Sequence, residues 1–156
     1  MNRIEGSANG QGLRICVIDT SWNDFIVSRL TEGALSTLKK HGVADADITH
    51  VTVAGAFEVP IAAKTAAETG RYDAIVALGC VIRGATAHFD FVAGEAAKGI
   101  AKVGLDTGIP VIFGILTTDT NEQAMDRAGV KLGNKGAEAA SVAVETARTL
   151  QAIKEG

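Results

Sequence analysis

The sequence predicts an α/β fold in which a parallel sheet lies between two layers of helices, and three observations lead there. Strand-like and helix-like segments alternate four times along the chain. Three of the four strand-like segments are almost wholly apolar, as strands are when helices cover both of their faces. No repeat or low-complexity segment interrupts the alternation. Right-handed crossovers between parallel strands then place the helices on both sides, giving a three-layer αβα sandwich around a four-stranded parallel sheet of the flavodoxin-like kind.

The segments follow in order. "LRICVID" (13–19) reads as a strand, and "DFIVSRLTEGALSTLKKHG" (24–42) as an amphipathic helix with Phe25, Ile26, Leu30, Ala34, Leu35 and Leu38 at helical spacing. Lys39, Lys40 and His41 before Gly42 suit the negative end of a helix dipole closed by a glycine. "ITHVTVAG" (48–55) alternates as a strand does, and "EVPIAAKTAAETG" (58–70) is a short helix whose Pro60 is tolerated only in the first turn. "DAIVALGCVI" (73–82) is a continuous apolar strand. "FDFVAGEAAKGIAKVGLDTG" (89–108) is a helix of small residues, and "IPVIFGIL" (109–116) is the fourth strand. "TNEQAMDRAG" (120–129) opens as a capping box, Thr120 with Gln123, and a last Ala-rich helix spans about 136–153. The glycines and alanines of these late helices permit close packing, within the domain or against another subunit.

Composition bounds the rest. A chain of 156 residues is one domain by length and can bury about two thirds of its unfolded surface. Apolar residues form 47% of it, which excludes disorder. A net charge of −3 with no basic run excludes a nucleic-acid partner. No apolar run reaches the ~18 residues that span a bilayer. The start, "MNRIEGSANGQG", is polar with no apolar signal core, so a soluble, cytoplasmic protein is expected, with a flexible arm (1–12) before a single domain (13–156). Cys16 and Cys80 lie in apolar runs without CxxC or CxH spacing and read as small buried hydrophobes, not as a disulfide or a metal site.

Ligands of open α/β sheets bind beyond the carboxyl ends of the strands. The segments there are "TSWND", "GAFE", "RGATAH" and "TTDTNEQ". They gather the only Trp, a His, an Arg, a Glu and several hydroxyls. His41 is accounted for by its helix end, and His50, within a strand, needs no special role. His88 stands where a central strand gives way to a helix, a position for a proton carrier. Trp22 reads either as rim packing or as a platform for a planar ring. Glu58 reads either as a helix-start carboxylate or as an acceptor for polyol hydroxyls. Gly84-Ala85-Thr86 has the form of a small anion-binding turn at a helix start. Arg127 and Lys135 on spacing alone are surface residues, and Phe113 is a core residue. "GVKLGNKG" lacks the P-loop spacing and no GxGxxG occurs, so nucleotide cofactors find no support.

Four motifs carry a family resemblance: "GAFEVP" (55–60), "GCVIRGATAHFDFV" (79–92), "GILTTDTNEQAMDRAG" (114–129) and "NKGAEAA" (134–140). In this order and spacing they strongly resemble the lumazine synthases, riboflavin-pathway enzymes, over about residues 14–154. Ala54 departs from a proline that the family often places before "GAFE", which changes stiffness but removes no functional group. The resemblance implies condensation of 5-amino-6-ribitylaminouracil with 3,4-dihydroxy-2-butanone 4-phosphate to 6,7-dimethyl-8-ribityllumazine, phosphate and water, without metal or organic cofactor. It implies that Trp22 stacks on the pyrimidine, Asn23 orients that end, and Ala56, Phe57 and Glu58 line the site, Glu58 holding ribityl hydroxyls. Cys80, Val81 and Ile82 would offer backbone groups to the uracil. Ala85, Thr86 and Arg127 would bind the phosphate, and His88 would move protons. Phe113 and Lys135 match lining positions, some of which the family supplies from a neighbouring subunit.

The resemblance further implies a homo-oligomer, a pentamer that the short "RAGVKLGNKG" connection favours closing into an icosahedral 60-mer, with the arm free to add a strand to a neighbour. Two other readings remain beside it: a riboflavin synthase of the related small-subunit type, and a non-catalytic flavin-binding module. The latter wants a Gly-rich phosphate loop after the first strand, where "DTSWND" has no glycine. On this reading Arg83, the first charge after the third strand, is not the phosphate ligand.

Overall fold

In the computed structural model, which describes residues 1–156, four parallel strands lie in the order β2-β1-β3-β4. They are β1 (Ile15–Thr20), β2 (Ile48–Val53), β3 (Ala74–Ile82) and β4 (Val111–Thr118). Five helices connect and cover them: α1 (Asp24–Lys40), α2 (Val59–Glu68), α3 (His88–Thr107), α4 (Asn121–Arg127) and α5 (Lys135–Glu155).

The apolar runs of the central strands have the predicted cause. Ile15, Val17, Val76 and Leu78 enter a core with α1 and α5, whereas Cys16, Ile18, Ile75 and Ala77 enter a second core with α2 and α3. Alternate side chains thus feed opposite cores, so every position must be apolar. β2 is an edge strand, half exposed, and keeps the alternation seen in its sequence.

Boundaries shift by a few residues. β4 continues through polar Thr117 and Thr118 because β3 stays paired with it as far as Ile82 and Thr118. α3 starts one residue early, at His88 itself. Phe25, expected on the core face of α1, points outward with the Arg29 guanidinium 5.2 Å from its ring centroid, and Val27 is buried beside Ile26 instead. The capping box forms in altered shape. Thr120 Oγ1 accepts from the Gln123 N–H at 3.1 Å, while Gln123 Oε1 accepts from the N–H of Asp119, one residue before the cap.

The small residues of the late helices serve close approach. A Cβ on Gly136 would collide with the backbone carbonyl of Leu30, so α1 and α5 touch backbone to backbone there. Asn134 caps α5 through Oδ1 and the Ala137 N–H at 3.0 Å, and its Nδ2 donates to Arg29 O at 3.0 Å. The "NKG" motif is therefore a cap and a helix crossing in one. On α3, a Cβ at Gly99 would meet Pro60 at 2.7 Å, whereas Gly94 faces open space.

Within the segment expected as an arm, residues 8–11 are tied to the body. Gly10 donates its N–H to His41 O at 2.7 Å, and Arg148 Nε and Nη2 donate to Asn9 O and Gln11 O at 2.8 and 2.6 Å. His41 adds its ring, with Nδ1 2.8 Å from Ala8 O and Nε2 3.0 Å from Ser141 Oγ.

Candidate active site

The crevice that positions the site comes from strand register. β1 and β3 pair from Ile15–Ala74 to Ile18–Ala77 and then part, while β3 remains paired with β4 to its end. The chain leaves β1 toward β2 on one side and returns through β3 toward β4 on the other. This is the switch point at which open α/β sheets bind ligands. A cavity of about 510 Å³ opens there.

Each wall has a local cause. The loop after β1 continues the pairing with the β2 end, Ser21 and Trp22 donating to Val53 O and Ala54 O at 2.9 and 3.0 Å. Trp22 is thereby set across Gly55, where a Cβ would stand only 2.5 Å from the indole. The backbone of Gly55 is extended (φ −143°), so the ring's proximity, and not a turn, demands glycine. Asn23 is the one non-glycine residue with left-handed φ (59°), a conformation Asn tolerates better than most. Its Nδ2 donates to Cys80 O at 2.8 Å, fastening the loop to the end of β3. Beyond Gly55 a 3₁₀ turn (Ala56–Glu58) brings Phe57 and Glu58 to the cavity before α2 begins.

Cys80, Val81 and Ile82 form the floor, and His88 and Phe91, three apart and so on one face of α3, form the far side. Burial pushes the Cys80 thiol up to about 11, which keeps it protonated and poorly nucleophilic. Glu58 and His88 are the cavity's only other ionisable side chains. Neither side chain has a hydrogen-bond or ion-pair partner within the chain, so both are free for a ligand. No cluster of three His, Cys, Asp or Glu side chains with metal-holding geometry occurs anywhere in the fold.

Next to His88, the turn 84–87 is exposed. Its four N–H groups find no acceptor in the chain, and Thr86 Oγ1 accepts from the His88 N–H at 3.4 Å. Unpaired N–H groups at the start of a long helix favour an anion on general grounds, and α3 is twenty residues long.

The remaining expected residues lie elsewhere. Phe113, Arg127 and Lys135 line a separate hollow of about 480 Å³ at the β4 edge, with Gln123 and Leu132, and share no wall with the first cavity. Arg127 Nη1 donates to Gln123 O at 3.0 Å, on the same helix. Ala85 and Thr86 line neither hollow, and no hydrogen bond joins either of them to Arg127. Phe113, expected in the core on spacing alone, is 38% exposed.

Several residues escaped sequence reasoning. Thr20 and Phe91 line the cavity; the signals were the last residue of the first strand and a position one helical turn beyond His88. His50, which by sequence needs no special role, is engaged. Its Nε2 stands 2.7 Å from Oδ2 of the buried Asp19, which also accepts from Thr31 Oγ1 at 2.8 Å and, at Oδ1, from Thr52 Oγ1 at 2.7 Å. This hub locks the end of β1 to β2 and α1 just before the Trp22 loop.

Against known proteins, residues 12–151 match the family model described as 6,7-dimethyl-8-ribityllumazine synthase. A protein of that name from Nitratidesulfovibrio vulgaris (strain DSM 19637 / Miyazaki F) is 55% identical over 150 residues, covering 96% of each chain. With the fold, the switch-point cavity and the four motifs, this match establishes that the chain belongs to the 6,7-dimethyl-8-ribityllumazine synthase family.

Proposed function

We propose that this chain condenses 5-amino-6-ribitylaminouracil with 3,4-dihydroxy-2-butanone 4-phosphate, releasing 6,7-dimethyl-8-ribityllumazine, inorganic phosphate and water. The observation that carries the reading is one crevice uniting an aromatic platform, an unpartnered carboxylate and an unpartnered imidazole, with a turn of free N–H groups directly preceding that imidazole in the chain. These are the four recognition elements that a ring, a polyol, a transferring proton and a phosphate require.

Trp22 stacks on the pyrimidine, and the backbone of Cys80 to Ile82 reads its polar edge. Asn23, with Nδ2 committed to Cys80, keeps Oδ1 for the ligand. Ala56 and Phe57 close the side wall, and Glu58 accepts from ribityl hydroxyls. The phosphate sits on the N–H groups of Ala85 and Thr86, with Arg127 opposite. The uracil's amine then attacks the ketone carbonyl, water leaves and a Schiff base forms. Phosphate departs with its bonding electrons, and the ribitylamino nitrogen closes the second ring with loss of a further water. Each of these steps moves a proton between heteroatoms, and His88, with both ring nitrogens unengaged, can donate and accept in turn.

A neighbouring subunit supplies Phe113, Arg127 and Lys135. Their hollow lies at an open sheet edge, and large apolar groups around both surfaces (Phe57 at 57%, Phe91 at 70% and Leu132 at 56%) stand exposed in the single chain. Isolated domains seldom leave such groups uncovered in clusters. A head-to-tail contact of this kind closes into a ring, and we assign it to a pentamer, twelve of which build the 60-subunit shell. Mixing the two substrates with the protein tests the reaction, with the fluorescent lumazine and one phosphate per turnover expected. Absence of both products, or product formed from lumazine alone as a riboflavin synthase would make it, refutes the reading. Sedimentation tests the shell, and a single small species refutes it.

A further inference from the structure

The reaction proposed above leaves Arg83 without a task, although its side chain is engaged by groups from two separate segments. Its Nε donates to Asp119 Oδ1 at 2.9 Å and its Nη1 to Asp90 Oδ1 at 3.3 Å. The same guanidinium lies 4.3 Å from the centroid of the Phe89 ring. Its backbone N–H donates to Thr118 O at 2.8 Å, the last rung between β3 and β4.

Every partner stands beside a proposed site group. Phe89 and Asp90 directly follow His88 in the first turn of α3. Asp119 directly precedes the cap of α4, and Gln123, which accepts the Asp119 N–H, also accepts from Arg127 through its carbonyl. The turn between, residues 84–87, makes no other tie to the body: its N–H groups are free, and a Cβ on Gly84 would touch nothing within 4 Å. A free turn is what an anion needs, but it has to be held from outside. The two carboxylates on Arg83 also disqualify it as the phosphate ligand, since an anion there would meet Asp90 and Asp119.

We infer that Arg83 is a positioning residue for the condensation. Its guanidinium clamps the first turn of α3 to the head of α4, and so fixes the 84–87 turn and the His88 ring of one site against the helix whose Arg127 serves the neighbouring site. This rests on the reaction assigned above. The role suits arginine, whose planar fork reaches two carboxylates while its face stacks on an aromatic ring, and does not suit lysine, a point charge. Exposed ion pairs contribute little to global stability, yet a displacement of about 1 Å at a reacting group costs up to about a hundredfold in rate. The clamp's signature is therefore kinetic.

The experiment compares wild type with Arg83→Gln, Arg83→Lys and the pair Asp90→Asn plus Asp119→Asn. KM for the sugar phosphate is expected to rise about tenfold and kcat to fall several-fold, with KM for the pyrimidine changed less than about twofold. Melting should stay within about 2 °C, and adding Arg83→Gln to the double Asp variant should cost nothing more. Equal rises in both KM values, losses that follow the melting temperature, or unchanged kinetics overturn the inference. Amide exchange from Asp90, whose N–H donates to Ala87 O at 3.0 Å, through the next turn of α3 provides the readout independent of turnover and should quicken in Arg83→Gln. If wild type makes no lumazine, the assigned reaction fails, and unchanged exchange in that turn of α3 separately overturns the clamp.

Discussion

Gly55→Ala isolates the contribution of the indole platform. The added Cβ would stand 2.5 Å and 2.8 Å from Trp22 Cε3 and Cζ3, where ordinary contact begins near 3.4 Å, so about 1 Å must be yielded. The backbone at Gly55 is extended and accepts alanine without strain. Trp22 is 64% exposed and can swing aside. Folding stability should therefore stay near its starting value, since restricting the unfolded chain offsets the shift by about 0.4–1 kcal/mol. Binding of the ring should suffer instead. A stacking contribution of about 0.5–1.5 kcal/mol corresponds to about a two- to tenfold rise in KM for the pyrimidine. Steady-state kinetics with each substrate varied reads this, and emission from the only Trp reports the displaced ring. An unchanged emission spectrum, or an equal rise in KM for the sugar phosphate, would refute the reasoning.

Other perturbations separate stability from chemistry. Gly136→Ala forces α5 off the Leu30 carbonyl, an overpacking cost of about 1–3 kcal/mol that should lower Tm by several degrees at this chain length. A wild-type melting curve would show that the crossing yields freely. His88→Ala should lower kcat by about a hundredfold, the low end of what a positioned acid–base group supplies, with Tm unmoved, and equal kcat values would remove its imidazole from the mechanism. Arg127→Ala should raise KM for the sugar phosphate far more than for the pyrimidine; an equal rise in both would contradict its assignment. Burial pushes the Cys16 and Cys80 thiols up to about 11 from 9.0. In that window the unfolded chain loses protons that the folded one keeps, so stability falls as pH rises from about 9 to about 11, by on the order of 2 kcal/mol per thiol. Urea titrations at pH 8 and 10 of wild type and Cys16→Ala should show that slope shrinking in the variant, and identical slopes would refute it.

The fold was legible because its determinants are local or periodic. Apolar runs marked strands buried on both faces, and alternation in "ITHVTV" marked the edge strand. The first cavity was legible for a similar reason: ligand loops follow strand ends, so Trp22, Glu58 and His88 could be gathered from chain order and a topological rule, whereas Cys80 entered only through the family resemblance. What stayed hidden depends on partners far apart in sequence. No local pattern announces that His50 and Thr52 meet Asp19, or that Gly55 is glycine because an indole lies over it. Spacing on β4 likewise could not tell Phe113 from a core residue, because whether that face is covered is decided by which helices reach it.

The separation of the β4-edge hollow from the switch-point cavity has a genetic consequence. If each working site borrows Arg127 from one subunit and His88 from the next, a defect in either residue damages a different wall of a different partner. Chains carrying His88→Ala and chains carrying Arg127→Ala, each impaired alone at low sugar phosphate, should regain activity when unfolded together and reassembled, because some neighbouring pairs then present two intact walls. At equal mixing about one site in four would be whole. On that arrangement the damage is recessive between neighbours, a property of the contact and not of either chain.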